Sequence, residues 1–211
     1  MRKKDQFAID KILECAKQEF LDKGFEGASM RTIAENAGYT TGMLYGRFAD
    51  KDELFKAIVK QAADRLYEYY AGAQTEFASL APERQYNDMH RYVGERVDEM
   101  IDMVYANFDE FKLIVCRSKG SEYEKYIDKL IEIETDNTMR FINELNAAGL
   151  KINDVRADLS HMLATAMFNG MFEVVEHDFD KKDAIQYVKQ LQEFFYAGWD
   201  RILGLTHRNN Q

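Results

Sequence analysis

Proline is almost missing from this chain. Its 211 residues contain one, Pro82, and only twelve glycines. Breakers this scarce disfavour sheets with many turns and favour an all-helical protein. Cysteine is equally rare. Cys15 and Cys116 lie about half the chain apart, each inside an apolar helical pattern, and read as buried thiols in a reducing compartment. No apolar run approaches the roughly 18–20 residues of a membrane span. The opening MRKK is basic, but Asp5, Asp10, Lys11 and Glu14 interrupt what would be the apolar core of a signal peptide. A cytoplasmic protein with no membrane partner is expected. An excess of positive charge is also lacking, since the formal net charge is −9. The imbalance is local, however. Residues 1–60 carry eleven Lys/Arg against ten Asp/Glu, and the remainder seventeen against twenty-seven. A near-neutral N-terminal module can present cations on one face even when the whole chain repels a polyanion.

Hydrophobic residues make up 46% of the chain and charged residues 31%, enough for a sizeable core. The apolar residues recur with helical period. The first stretch, 6–22, aligns Ile9, Ile12, Leu13, Ala16 and Phe20, and Lys23-Gly24 supplies a stop. Ser29 is an N-cap for a helix over 30–36, Gly38 breaks that helix, and Thr40 caps a short one over about 41–47. Asp50 and Glu53 stand in capping-box relation before a long fourth helix running through Phe77. The SLAPE stretch at 79–83 reads as a linker, with Pro82 in the first turn of the next helix. Further helices are expected over 83–106, 108–117, 121–147 (opening at Ser121), 155–177 and 181–204. The expectation is an all-α chain of about nine helices. A three-helix N-terminal domain, residues 1–50, is followed by a helical domain, 51–211, that begins with the connecting helix.

The spacing of Ala34, Gly38 and Leu44 is that of a helix-turn-helix. A small alanine lets two helices cross closely, glycine takes the turn where positive φ is inexpensive, and leucine closes the small core with Ile33. Such a unit projects its second helix outward, where it can enter a DNA major groove. The surrounding residues sharpen this. The segment SMRTIAENAGYTTGMLYGRFADKDELF resembles the DNA-binding domain of TetR-family transcriptional regulators. The pattern falls on Thr32, Ile33, Ala34, Ala37, Gly38, Thr40, Gly42, Leu44, Tyr45, Phe48, Lys51, Asp52, Glu53 and Leu54, and the resemblance covers about residues 7–58. Gly46 and Arg47 depart from it, because the family commonly has a bulky polar residue and then histidine or another aromatic there.

The residues suit that chemistry. Phosphate contacts supply most DNA affinity and base-edge contacts supply sequence choice. Tyr45 offers a rigid ring and a hydroxyl donor. Thr40 offers a hydroxyl and a backbone N–H at a helix N-terminus. Lys51, at the start of the next helix, is placed to reach the same strand, and Arg47 is a candidate charged phosphate contact. Gly42, without a Cβ, allows close backbone approach. Thr32 lies in the first turn of the preceding helix. Arg31, Thr41 and Met43 are candidates for base edges. Arg2, Lys3 and Lys4 are candidates for a basic arm. Ala34, Leu44 and Phe48 read as scaffold.

The resemblance further implies that the later helices bind a small molecule and dimerise. Wide apolar stripes over 155–177 and 184–203 suit a homodimer interface. His90, Phe108, Phe111, Cys116, Phe168, Asn169 and Phe172 are candidate contacts for an apolar or amphipathic effector. The function implied is a ligand-responsive repressor of a palindromic double-stranded DNA operator, without cofactor, metal or catalytic residues. Two other classes have some material in the sequence. One is a helical small-molecule carrier or interaction module that binds no operator. The other is a metal-dependent helical-bundle enzyme, for which Asp158-x-x-His161 and Glu173 with His177 are the nearest material, although a second Glu-x-x-His is absent.

Overall fold

In the computed structural model, residues 2–205 are described, with side chains from Asp5 onward. The proposed basic arm, Arg2, Lys3 and Lys4, has its side chains outside the described residues. Those residues form nine α-helices and one π-helical turn: α1 (Arg2–Gly27), α2 (Met30–Ala37), α3 (Thr41–Tyr45), α4 (Lys51–Ala78), α5 (Pro82–Ala106), α6 (Phe108–Lys112) with the π-turn Leu113–Arg117, α7 (Tyr126–Ala147), α8 (Ala157–Glu176) and α9 (Lys181–Leu203). The all-α expectation therefore holds.

Local chemistry sets most of these boundaries. Gly24 (φ 70°, ψ 168°) kinks α1 at the expected stop. The Ser29 hydroxyl accepts from the Thr32 N–H, and the Thr40 hydroxyl from the Met43 N–H, at 3.4 and 3.2 Å. Each satisfies one of the first-turn donors that a helix leaves unpaired. Asp50 accepts from the Glu53 N–H at 2.8 Å, and the Glu53 carboxylate reaches back to the Ala49 N–H. Pro82 is the first residue of α5. One expectation fails. Ser121 does not open α7, because its hydroxyl accepts from the Tyr123 N–H after Gly120 at φ +86°. That local turn competes with helix, and α7 begins five residues later.

Contacts divide the chain into two compact units. Residues up to Arg65 together with Asn107–Tyr126 form one, and Leu66–Ala106 with the chain from Ile127 onward form the other. The division falls inside α4 rather than before it, and the segment 107–126 joins the N-terminal unit. That segment is fastened to α1 by Lys17–Glu110 at 2.6 Å, and to α4 by the Tyr126 hydroxyl, which donates to the Ala63 carbonyl at 2.8 Å.

The N-terminal unit is built on a buried aromatic cluster. Phe20 and Phe55 meet edge-to-face at 5.0 Å, and Phe25 meets Phe55 at 5.4 Å. Ile12, Ile33, Ala34, Leu44 and Leu54 are fully buried beside it. Cys15 and Cys116 are both half-buried. In the C-terminal unit, Phe141, Ile142, Leu145, Ile152, Val155, Leu203 and Leu205 form a core cluster. Helices α8 and α9 approach closely at Gly170, where a Cβ would come within 3.0 Å of Leu191 Cδ2.

Candidate functional site

Helices α2 and α3 are joined by a turn that needs glycine. Gly38 has φ +77° and ψ 29°. Its N–H donates to the Glu35 carbonyl at 3.0 Å, and the Tyr39 N–H donates to the Ala34 carbonyl at 2.9 Å, a Schellman closure of α2. An alanine Cβ there would meet only the end of the Lys11 side chain at 3.6 Å, so the cost is backbone strain. Gly38→Ala is expected to lower the stability of the N-terminal unit by about 1–2 kcal/mol, read by urea denaturation. An unchanged midpoint would show that the turn relaxes into another conformation.

With Ile33, Ala34, Ala37 and Leu44 buried, α3 turns its remaining residues outward. Tyr45 is 50% exposed. Thr40 and Gly42 are exposed and Thr41 is half-exposed. A Cβ placed on Gly42 would touch nothing within 4 Å, so nothing within the chain requires glycine there. The Thr40 hydroxyl accepts from Met43 and keeps its own proton to donate outward. Helix α3 ends at Tyr45, two residues short of the expected 47, and Gly46 follows as its cap.

The charged candidates are placed differently. Arg31 is exposed and paired with Glu35 one turn on at 2.8 Å, an exchangeable surface pair. Thr32 is half-buried, with its N–H held by Ser29. The Lys51 ammonium uses two of its three donors within the chain. It donates to the Glu26 and Ala28 carbonyls at 3.2 and 3.3 Å and lies 4.7 Å over the Phe25 ring. Those bonds tie the α1–α2 link to the start of α4. The Arg47 guanidinium is only 21% exposed and is bound to Asp5. Lys51 and Arg47 thus make contacts within the module, while Thr40, Gly42 and Tyr45 are exposed and Thr41 half-exposed.

The C-terminal unit holds a cavity of about 140 Å³ that is open to solvent on one side. Its wall is drawn from α4 (Tyr70, Gln74, Phe77), α5 (Met89, Tyr92, Arg96, Met100), α7 (Glu134, Thr138, Phe141), α8 (Met167, Phe168, Met171) and α9 (Gln192, Phe195, Tyr196, Trp199), among others. Of the seven effector candidates, Phe168 lines this cavity, and Phe172 lines a smaller one of about 40 Å³. Phe108, Phe111 and Cys116 belong to the N-terminal unit. Asn169 is exposed. His90 stacks on Tyr196 at 4.5 Å, with Nε2 3.0 Å from Asp200 Oδ1, so it backs the cavity wall rather than lining it.

Sequence reasoning missed Glu134, although a signal exists. Ile127, Leu130, Ile131, Phe141, Ile142 and Leu145 make one stripe along α7, and Glu134 and Thr138 interrupt it. Among the described residues, no group of three or more His, Cys, Asp or Glu side chains is arranged to hold a metal. Glu173 pairs with His177 at 2.8 Å and Asp158 with Arg156 at 2.5 Å. No helix among them is long and apolar enough to cross a membrane.

Comparison with known proteins agrees with this geometry. Residues 12–58 match the family described as bacterial regulatory proteins, tetR family. The helix-turn-helix transcriptional regulator YfiR of Bacillus subtilis is 25% identical over 137 residues, 63% of this chain and 62% of that protein. The helix-turn-helix transcriptional repressor AcnR of Corynebacterium diphtheriae is 38% identical over 60 residues, 28% of this chain and 32% of that one. The chain thus covers less than two thirds of either relative. Among solved structures, NalD, the secondary repressor of the MexAB-OprM multidrug efflux pump in Pseudomonas aeruginosa, superposes with a TM-score of 0.54 at 17% identity, covering 89% of this chain and 95% of that one. The TetR-family regulator PfmR of Thermus thermophilus gives 0.55 at 17% identity, covering 86% and 97%. At such identities the likeness is one of fold.

Proposed function

We propose that this chain, whose N-terminal domain is that of the tetR family of bacterial regulatory proteins, is a cytoplasmic transcriptional regulator. It binds a palindromic operator as a homodimer and is released by a small molecule held in the C-terminal cavity. The observation that carries the DNA-binding reading is the open face of α3. There a half-exposed tyrosine, a half-exposed threonine, a glycine with empty space beside it and a second threonine, whose hydroxyl caps α3 and keeps its own proton free to donate, all turn outward. Selection from random duplex DNA with the full chain tests it. An enriched inverted repeat is expected, with half-sites set by two recognition helices about 34–36 Å apart. Failure to enrich any duplex at moderate salt would sink the reading.

Exposed apolar side chains on the last two helices support the dimer. Leu159 and Met162 on α8 are 39% and 67% exposed, and Phe194 on α9 is 73% exposed. Ala166, Ala197 and Gly198 beside them are also exposed and small, which permits close helix approach. Burying these side chains on a second copy gains roughly 25 cal/mol per Å² of apolar surface. Phe194→Glu is expected to convert the dimer to monomer in analytical ultracentrifugation at micromolar concentration. A dimer that survives the charge would place the interface elsewhere.

Release by a ligand requires different affinities for two states of the protein. Helix α4 is the candidate lever. It contributes Leu54 and Phe55 to the core of the N-terminal unit, and Tyr70, Gln74 and Phe77 to the cavity wall.

A further inference from the structure

The C-terminal cavity contains one charge that the chain leaves unbalanced. Glu134, on α7, is the one carboxylate in a wall that is mostly apolar and aromatic, with Arg96, Arg140 and a few neutral polar side chains. Its carboxylate accepts from the Tyr70 hydroxyl and from Gln74 Nε2, the latter at 2.7 Å. Both donors are neutral. The cations along the wall are Arg96 and Arg140, and carboxylates other than Glu134 hold both of them. Arg96 pairs with Glu76 at 3.1 Å and Glu99 at 3.6 Å, and its guanidinium lies 4.6 Å over the Tyr92 ring. Arg140 pairs with Glu144 at 3.8 Å and donates to Asn137.

Desolvation acts accordingly. Burial raises the Glu134 carboxyl above the ordinary carboxylate range, and the hydrogen bonds from Tyr70, Gln74 and Thr138 only partly offset it. Burial and the nearby Glu134 charge push the Tyr196 phenol up to about 12. Glu134 is half-buried, and a carboxylate drawn out of water with no cation of its own is costly unless something else neutralises it. The same cavity is lined by Phe77, Phe141, Phe168, Tyr196 and Trp199, and aromatic ring faces attract a positive charge that has left water.

We propose that the ligand of this cavity is an apolar cation, a quaternary ammonium or protonated amine carried on hydrocarbon, with its charge against Glu134 and its apolar part on the aromatic wall. The inference rests on the reading of this cavity as the effector site. An organic acid, the opposite class, would have to take Arg96 or Arg140 from its present partners and sit beside Glu134.

Trp199 is the chain's single tryptophan and lines the cavity, so its emission reports occupancy. The probes are phenyltrimethylammonium, its uncharged isostere tert-butylbenzene, and benzenesulfonate, each titrated against the full-length protein. The cation is expected to bind at least tenfold more tightly than the other two. In Glu134→Gln, which keeps an acceptor for Tyr70, its advantage over the isostere should collapse to within twofold. That ratio is insensitive to a general loosening of the fold, and a thermal melt establishes that the variant is folded. Should the variant fail to fold, the ranking of the three probes on the unaltered chain decides alone. An isostere or anion that binds first, or a cation advantage that survives Glu134→Gln, overturns the proposal. The same samples separate it from regulation. If the cation binds as expected but the selected duplex stays bound at saturation, effector release fails and the cation site stands. If the duplex binds and no probe alters Trp199 emission, the cation site fails and the DNA-binding reading stands.

Discussion

Replacing Tyr45 with alanine is expected to weaken operator binding about a hundredfold, because each subunit of the proposed dimer would lose roughly 1.4 kcal/mol, a factor of ten, and the two losses multiply. The per-subunit figure combines one hydrogen bond from the phenol to a phosphate, about 0.5–1.5 kcal/mol net, with the contact area of the ring. Stability should change by no more than about 0.5 kcal/mol, as for other exposed positions, because half of the Tyr45 surface is already open and α3 is anchored through Leu44. Tyr45→Phe separates the two contributions, since it keeps the ring and removes only the hydroxyl. The titration must hold salt constant, because phosphate binding falls steeply with ionic strength. Operator affinity unchanged in Tyr45→Ala would remove this residue from the interface and leave Thr40 and Thr41 to carry it.

That experiment concerns a site that was legible because it is local. Ser29, Gly38, Thr40 and Asp50 act on backbone groups within a few residues, so their chemistry can be read from order along the chain. The aligned apolar residues of α1, α2 and α4 likewise fix which faces are buried. Long-range partnership was not legible. The partners that Lys51 finds in the Glu26 and Ala28 carbonyls, and Arg47 in Asp5, lie too far away along the chain to be read from it. Phe108, Phe111 and Cys116 follow the same helical period as cavity residues. They lie elsewhere because 107–126 packs with the N-terminal unit, through pairs such as Lys17–Glu110, 93 residues apart. The cavity itself was half-legible. Its aromatics are indistinguishable from core by pattern, but a glutamate on the apolar stripe of α7 breaks the pattern. A buried carboxylate is costly enough that such a break marks a site to inspect.

The other large effect is expected in the core beneath the recognition helix. Phe55→Ala should cost about 3–5 kcal/mol, the usual range for deleting a fully buried phenylalanine. Phe55 has no exposed surface and sits at the centre of its cluster, touching Phe20 and Phe25 edge-to-face and Tyr123 at 6.0 Å. The geometry of those pairs adds to simple burial. Collapse of the site is resisted from two sides, by α1 and the segment before α7, so the cavity left behind should stay partly open. A loss of this size is a large fraction of the 5–15 kcal/mol that holds a typical domain. Operator binding at 37 °C should therefore fall with the folded fraction, although Phe55 touches no DNA. Two signals locate the damage. Circular dichroism follows all helices, while Trp199 emission follows the C-terminal unit to which that residue belongs. Part of the helical signal should be lost at lower urea than the Trp199 transition. Phe55→Leu, which refills most of the volume, should recover more than half of the loss. A destabilisation below about 1 kcal/mol would mean that Phe20, Phe25 and Tyr123 close over the gap, and the aromatic cluster would then not be what holds α3 in position.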